Sequence, residues 1–208
     1  MYCLMCGMEK GDGDFIDILE NDDPLCHRCR SNLNCVKFRM KFHGYKLYAC
    51  YVYDDAFAKI LVQYKECFDE ALKTVFLYPF RWWFMIRFFG YTVCYLPSSK
   101  EKIAKRGFHH LEKMFSSIPL QQADLFEKVN DFDQKNRSVE ERMKMVDNIA
   151  LKKHCDVPKK VLLVDDTITT GASLLGALHC LQDYDCKIVI YVVSVNHLWL
   201  KKPKIFGK

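Results

Sequence analysis

Thirteen residues leave this chain little freedom in its fold: Val161-Leu-Leu-Val-Asp165-Asp166-Thr167-Ile168-Thr169-Thr170-Gly171-Ala172-Ser173. An apolar run suited to a buried strand leads into two adjacent carboxylates, then a hydroxyl-rich turn with Gly171. A helix-forming stretch from Leu174 to Leu181 follows. A buried strand ending in a polar loop that opens a helix is a physical solution for holding phosphate. The loop N–H groups and the helix N-terminus supply donors and partial positive charge. Thr167, Thr169, Thr170 and Ser173 add hydroxyl donors. Asp165 and Asp166 would repel phosphate but suit sugar hydroxyls or a Mg²⁺ shared with the ligand. Carboxylates for a ribose beside amides for a phosphate describe a sugar-phosphate site. An ordinary βα turn would use Asp and Thr as caps, but here the residue order follows the ligand's chemistry over the whole string.

The string resembles the phosphoribosyl-pyrophosphate (PRPP) loop of type I phosphoribosyltransferases. The resemblance implies that Asp165 and Asp166 hold the ribose 2- and 3-hydroxyls, and act as the catalytic carboxylates if the site turns over. It also implies that Thr167, Ile168, Thr169, Thr170, Gly171, Ala172 and Ser173 wrap the 5-phosphate.

The N-terminus carries a second signal. Cys3-Leu-Met-Cys6 and Cys26-His-Arg-Cys29 are two Cys-x-x-Cys knuckles 19 residues apart, the spacing of a zinc ribbon. Four sulfurs leave no open coordination position, so the expected zinc is structural. Cys35 and His27 are the alternative ligands. Cys50, Cys67, Cys94, Cys155, Cys180 and Cys186 lack metal-like spacing and read as small core hydrophobes. Eleven cysteines in a chain without an apparent secretory signal point to reduced thiols, metal and a cytoplasmic location. The most apolar stretch, Val75 to Leu96, is interrupted by Pro79, Arg81 and Arg87, so no span is expected there. It reads as a buried helix followed by a strand.

Strand patterns at Lys46–Tyr53, Tyr91–Leu96, Val161–Val164 and Lys187–Val195 alternate with helical patterns. The helices are expected from Asp54 to about Tyr64, from about Asp69 to Pro79, from Lys100 to Phe115, around Val139 to Ile149, and at Leu174–Leu181. This alternation predicts an α/β domain of residues 41–208, a mostly parallel sheet covered on both faces, with a small ribbon of residues 1–40. Ligands of such sheets sit at the carboxyl ends of strands, where Asp165 falls. Pro97-Ser98-Ser99-Lys100 and Arg106-Gly107-Phe108 follow the 91–96 strand toward the same crevice. Ser98, Ser99, Lys100 and Arg106 are therefore further candidates for an anionic group of PRPP.

The Cys₄ ribbon, Tyr64-Lys65, the Pro-bearing strand end, Arg106-Gly107-Phe108, Gln134 with Arg142, and the Asp-Asp-x-x-Thr-Thr-Gly loop together resemble the ComF (competence protein F) family over almost the whole chain. That resemblance implies a phosphoribosyltransferase-type fold, a cytoplasmic role in DNA uptake during natural transformation, and possible competence-protein partners. The chain departs from the pattern at His109-His110, which stand where Asn-Gln is usual, and at Met145 in place of an Asn. The two histidines read as exposed helix residues, with replacement of the lost polar contacts as the alternative.

Charge leaves the partner open. Residues 1–36 hold three Lys/Arg against seven Asp/Glu, and the remainder holds 28 against 19. A basic main body suits a small phosphorylated ligand or single-stranded DNA. Lys152, Lys153, Lys159, Lys160 and the tail Lys201-Lys-Pro-Lys204 are the candidate DNA contacts. Three functions fit: a PRPP-binding competence protein that handles single-stranded DNA, a phosphoribosyltransferase acting on an unidentified acceptor, and a PRPP-responsive regulator.

Overall fold

Two strands of nine residues carry the architecture. Lys160–Ile168 (β7) and Lys187–Val195 (β8) are buried along almost their whole length. A strand buried on both faces belongs in the middle of a parallel sheet, and these two pair in parallel from Lys160↔Lys187 to Ile168↔Val195. The computed structural model describes residues 2–10, 22–129 and 149–200. Among them, Cys35–Phe42 (β1) and Tyr45–Val52 (β2) form an antiparallel edge beside β8. Thr92–Tyr95 (β3) and Gln122–Ala123 (β4) continue the parallel part on the other side, next to β7. The result is one six-stranded sheet in the order β1-β2-β8-β7-β3-β4. Phe126–Lys128 (β5) and Ile149–Leu151 (β6) form a separate antiparallel pair.

The β1–β2 hairpin turns at His43-Gly44, both at positive φ, as a two-residue loop matching the strand twist requires. β1 is a strand that the sequence pattern does not announce, and it spans the 40/41 boundary drawn from the sequence. Arg30, on the short helix His27–Ser31 (α1), ties the cysteine-bearing segment to the main body. Its guanidinium holds Asp23 through two bonds of 2.6 and 2.9 Å and donates to the Val75 carbonyl at 2.9 Å.

Helix Asp55–Glu66 (α2) begins where Asp54 accepts the Phe57 N–H at 2.9 Å. It buries Phe57, Ile60, Leu61 and Tyr64, one helical face. The helix expected from Asp69 is instead two 3₁₀ turns, Glu70–Thr74 and Tyr78–Phe80, before helix Arg81–Arg87 (α3). Pro79, with no N–H and a fixed φ, sits inside the second turn and breaks the continuity. The single helix expected over 100–115 is split into Lys100–Arg106 (α4) and His110–Phe115 (α5), because Gly107 ends α4 at φ +83°. That break turns Arg106 and Phe108 inward, and Phe108 packs on Tyr64 with ring centres 5.4 Å apart.

Residues 139–148 of the expected fourth helix, with Gln134, Arg142 and Met145, lie outside the described residues; Ile149 opens a strand instead. Helix Ala172–Leu181 (α6) and the terminal His197–Leu200 (α7) complete the order. One face of the sheet is filled by aromatics: Tyr191 packs against Phe84 at 4.5 Å, with Phe88 and Phe115 about it. Cys50 and Cys94 are buried in the core, whereas Cys67 is exposed at the end of α2, against expectation. No helix among the described residues is long and apolar enough to cross a membrane.

Candidate phosphoribosyl site and cysteine cluster

β7 runs past its expected end at Val164 and carries Asp165, Asp166, Thr167 and Ile168 as strand residues. Ile168 is only 1% exposed, so its side chain belongs to the core, and its backbone stands in the ladder opposite Val195. The Thr167 hydroxyl pairs with Ser194 Oγ at 2.8 Å on the neighbouring strand. The turn proper is therefore short: Thr169 and Thr170 are exposed, and Gly171 at φ +83° opens α6. Thr170 Oγ1 accepts the Ala172 N–H at 3.3 Å, and Trp199 Nε1 donates to the Thr169 carbonyl at 2.6 Å. Gly171 is buried against Phe42, with no room for a side chain between them. The loop is thus clamped from β1 and α7, and the first-turn N–H groups of α6 face outward at the positive end of its dipole.

Asp165 and Asp166 line one crevice with Lys65, Ser98, Ser99, Arg106, His110 and Ser173, of about 180 Å³. Lys100, expected there, lines an adjoining cavity of about 170 Å³ with Ser98, Ser99, Lys128 and Lys152. The two carboxylates differ in their surroundings. Asp166 is buried; Lys65 Nζ donates to its Oδ2 at 2.6 Å and His110 Nε2 lies 2.7 Å from the same oxygen. Burial opposes its ionisation, but the His110 hydrogen bond and the Lys65 charge outweigh it and hold Asp166 well below the usual carboxylate range. Asp165 is half-buried, and its Oδ1 accepts the Asp166 N–H at 2.8 Å. Burial and the adjacent Asp166 charge push its pKa upward. Asp166 is therefore committed to Lys65 and His110, while Asp165 gains most from hydroxyl donors or a cation arriving in the crevice.

Arg106 is buried and fixed, its Nε donating to the Lys65 carbonyl at 2.8 Å. Its Nη1 is buried with no acceptor among the described residues, and since Arg106 lines the crevice, it is a candidate partner for an anionic ligand.

His110 overturns the reading of an exposed helix residue: it is 6% exposed and central to the site. A carboxylate can only accept, so His110 Nε2 carries the proton given to Asp166. Nδ1 then accepts from Ser98 Oγ, 3.2 Å away. Burial lowers the His110 pKa despite Asp166, so the imidazole is neutral at physiological pH. A signal for it exists in the sequence: His110 lies one turn before Met114 and beside Leu111, on the apolar face of α5. Lys65 enters the sequence reading as part of a motif but is not placed in the crevice there; only its position one turn after Leu61 on α2 hints that it shares an inward face.

The candidate DNA lysines do not form one patch. Lys152 pairs with Asp124 near the crevice, whereas Lys159 pairs with Asp185 at 3.6 Å and Lys160 begins β7, at the far end of the sheet. Residues 201–204 lie outside the described residues.

At the N-terminus, Cys3, Cys6, Cys26 and Cys29 bring their sulfurs within 4.8 Å of one another. Tetrahedral ligation at about 2.3 Å places sulfurs about 3.8 Å apart, and Cys6 and Cys26 are already at 3.9 Å. Neither Cys35 nor His27 joins the group. Gly7, at φ +71°, returns its N–H to the Cys3 carbonyl at 2.9 Å and closes the first knuckle. Burial raises the Cys3 thiol, but N–H groups of Cys26, Cys6 and Met5 outweigh it and bring it to about 7. Burial and the surrounding thiols raise Cys29. Such a group can hold a metal ion such as zinc.

The phosphoribosyl transferase domain family matches residues 103–207. The chain is also 26% identical over 214 aligned residues to "Competence protein ComFC" of Streptococcus pneumoniae (strain R6), covering 91% of this chain and 97% of that protein. With the loop-bearing mostly parallel sheet and the four-cysteine cluster, these matches make the chain a ComF-type member of the phosphoribosyl transferase domain family.

Proposed function

We propose that the chain binds PRPP together with Mg²⁺, and in that state supports DNA uptake and the cytoplasmic handling of single-stranded DNA in natural transformation. The observation that carries the reading is the crevice at the end of β7. There Asp165 and Asp166 stand beside the clamped turn that opens α6. The 5-phosphate takes the N–H groups and hydroxyls of Thr169 to Ser173, and Asp165 receives the ribose hydroxyls. Arg106 Nη1, Ser98 and Ser99 receive the pyrophosphate side. Mg²⁺ prefers carboxylate and phosphate oxygens, so half-buried Asp165 is its protein ligand; bound there, it supplies charge neutralisation for the pyrophosphate. The cysteine cluster holds one structural zinc. The competence role follows the name of the streptococcal relative, and DNA handling follows the basic main body.

One observation favours turnover as the second reading. Ser98, His110 and Asp166 form a hydrogen-bonded chain at the crevice wall, a path for a proton released by an acceptor nucleophile. The test is pyrophosphate release from PRPP, with and without single-stranded DNA and candidate bases. Release with a given acceptor establishes transfer; PRPP binding without release leaves a binding or regulatory role; no PRPP binding overturns the reading.

A further inference from the structure

Between its terminal Arg81 and Arg87, helix α3 is wholly apolar, yet it lies on the surface. Phe84 and Phe88 face the core at 0% and 1% exposure, while Trp82, Ile86 and Phe89 are 66%, 82% and 82% exposed. Trp82 and Ile86 share one helix side at i, i+4, and Phe89 is exposed in the turn just past the helix. Trp83, at 42%, extends the patch toward β2 by packing on Tyr48. A contiguous exposed patch of large apolar residues marks an interaction surface rather than a solvated face.

The charge around it is mainly basic, with Asp22, which shares a cavity with Tyr78 and Arg81, as an acidic residue at its edge. No Asp or Glu occurs from residue 71 to 100, or from 24 to 53. Arg81 covers the Tyr78 and Trp82 rings at 4.6 and 5.6 Å, and Arg87 covers Tyr48 at 5.1 Å. Arg39 of β1 lies over the same Tyr48 ring. Strand alternation puts exposed Lys37 and Lys41 on the Arg39 side of the hairpin. Lys160 reaches the Tyr91 ring next to Gly90, extending the cationic border beyond Phe89.

We infer that α3 and the facing side of the β1–β2 hairpin form a peripheral docking surface for anionic lipid bilayers. Trp and Phe insert at the headgroup–acyl boundary, Ile86 enters the acyl region, and the arginines remain at headgroup level over their own aromatic stems. The exposed aliphatic Ile86 and the short outward helix fit a lipid plane better than a nucleic-acid strand, which needs a groove and stacking faces along its path. Phe89 precedes β3 and Ser98 follows it, so the four-residue strand, roughly 13 Å long, separates the patch from the crevice. Docking therefore leaves the phosphoribosyl crevice open to solvent, and the inference does not depend on what that crevice binds.

The test is flotation of the full-length, zinc-loaded protein with phosphatidylcholine vesicles, with and without about one-third phosphatidylglycerol. The expected result is binding to the anionic vesicles only, weakened by high salt. Trp82→Ser/Ile86→Ser/Phe89→Ser should lower the partition coefficient by about tenfold or more, and Arg81→Gln/Arg87→Gln by about fivefold or more. Brominated acyl chains should quench the tryptophan emission of the wild type. An unchanged melting transition controls for folding; should the triple variant fail it, Ile86→Ser/Phe89→Ser replaces it. Absence of binding to anionic vesicles, or binding that survives the apolar substitutions, overturns the proposal. So does loss of oligo(dT) binding in these variants when vesicles are ignored, which would make the surface a nucleic-acid interface.

Discussion

Replacing Gly171 by alanine should destabilise the protein through two separable terms. Gly171 sits at φ +83°, and an added Cβ would lie 2.7 Å from both Cε2 and Cζ of Phe42. Holding a residue with a Cβ in left-handed backbone costs about 1–2 kcal/mol. Forcing the buried Phe42 ring aside adds about 1–3 kcal/mol. The sum, about 2–5 kcal/mol, corresponds to a fall of roughly 4–20 °C in melting temperature for a domain of this size. Phe42 also packs on Trp199 with ring centres 5.8 Å apart, and Trp199 holds the Thr169 carbonyl, so the strain is delivered to the loop itself. Thermal melts of Gly171→Ala, Phe42→Leu and the double variant separate the terms. The smaller leucine side chain should recover the steric part, giving a coupling of about 1 kcal/mol or more, and leave the backbone part. A Gly171→Ala protein melting within a degree of wild type, or a double variant showing simple additivity, would refute the clamped-loop reasoning.

The remaining predictions concern the metal and the ionisable groups. Purified protein should carry about one zinc per chain, and Cys26→Ser/Cys29→Ser should retain almost none by elemental analysis; full retention excludes the cluster. Asp165 has its folded pKa raised by burial and by Asp166. Its stability contribution is present below the ordinary carboxylate pKa and is lost as pH rises through the raised one. Asp165→Asn, which keeps the acceptor for the Asp166 N–H, should therefore raise the melting temperature of ligand-free protein more at pH 8.5 than at pH 5; an equal change at both would count against the assigned shift. His109, lowered to about 4 by burial and then by His110, resists protonation in the folded state. Stability should consequently fall as pH drops from the ordinary histidine value toward 4, and His109→Gln should flatten that slope in pH-dependent melts.

What the sequence made legible follows from local physics. The bounds of β8 match the reading because Lys187–Val195 is an apolar run buried on both faces, and its pattern owes little to distant contacts. The ligand loop and the cysteine knuckles are visible because their chemistry is compressed into short strings. β1 escapes because CVKFRMKF mixes cations into a half-exposed edge strand, weakening the apolar signal. The helical part of Val75 to Leu96 reads as buried because composition reports how apolar α3 is, not which side meets the core. The partners of Asp166 come from α2 and α5, 101 and 56 residues away, and only the packing of those helices against the end of β7 brings Lys65 and His110 onto one oxygen. Arg106 is anticipated as an anion ligand, but its fixation by the Lys65 carbonyl depends on Gly107 ending α4.

The most direct measurement is calorimetric titration of PRPP, with and without Mg²⁺, into wild type and into Asp165→Asn/Asp166→Asn. The crevice chemistry predicts Mg²⁺-dependent binding that weakens by about tenfold or more in the double variant, the loss expected for hydrogen bonds to charged groups. Equal affinity in the two proteins, or binding indifferent to Mg²⁺, would contradict the assignment of Asp165, positioned beside Asp166, to the ribose and the metal.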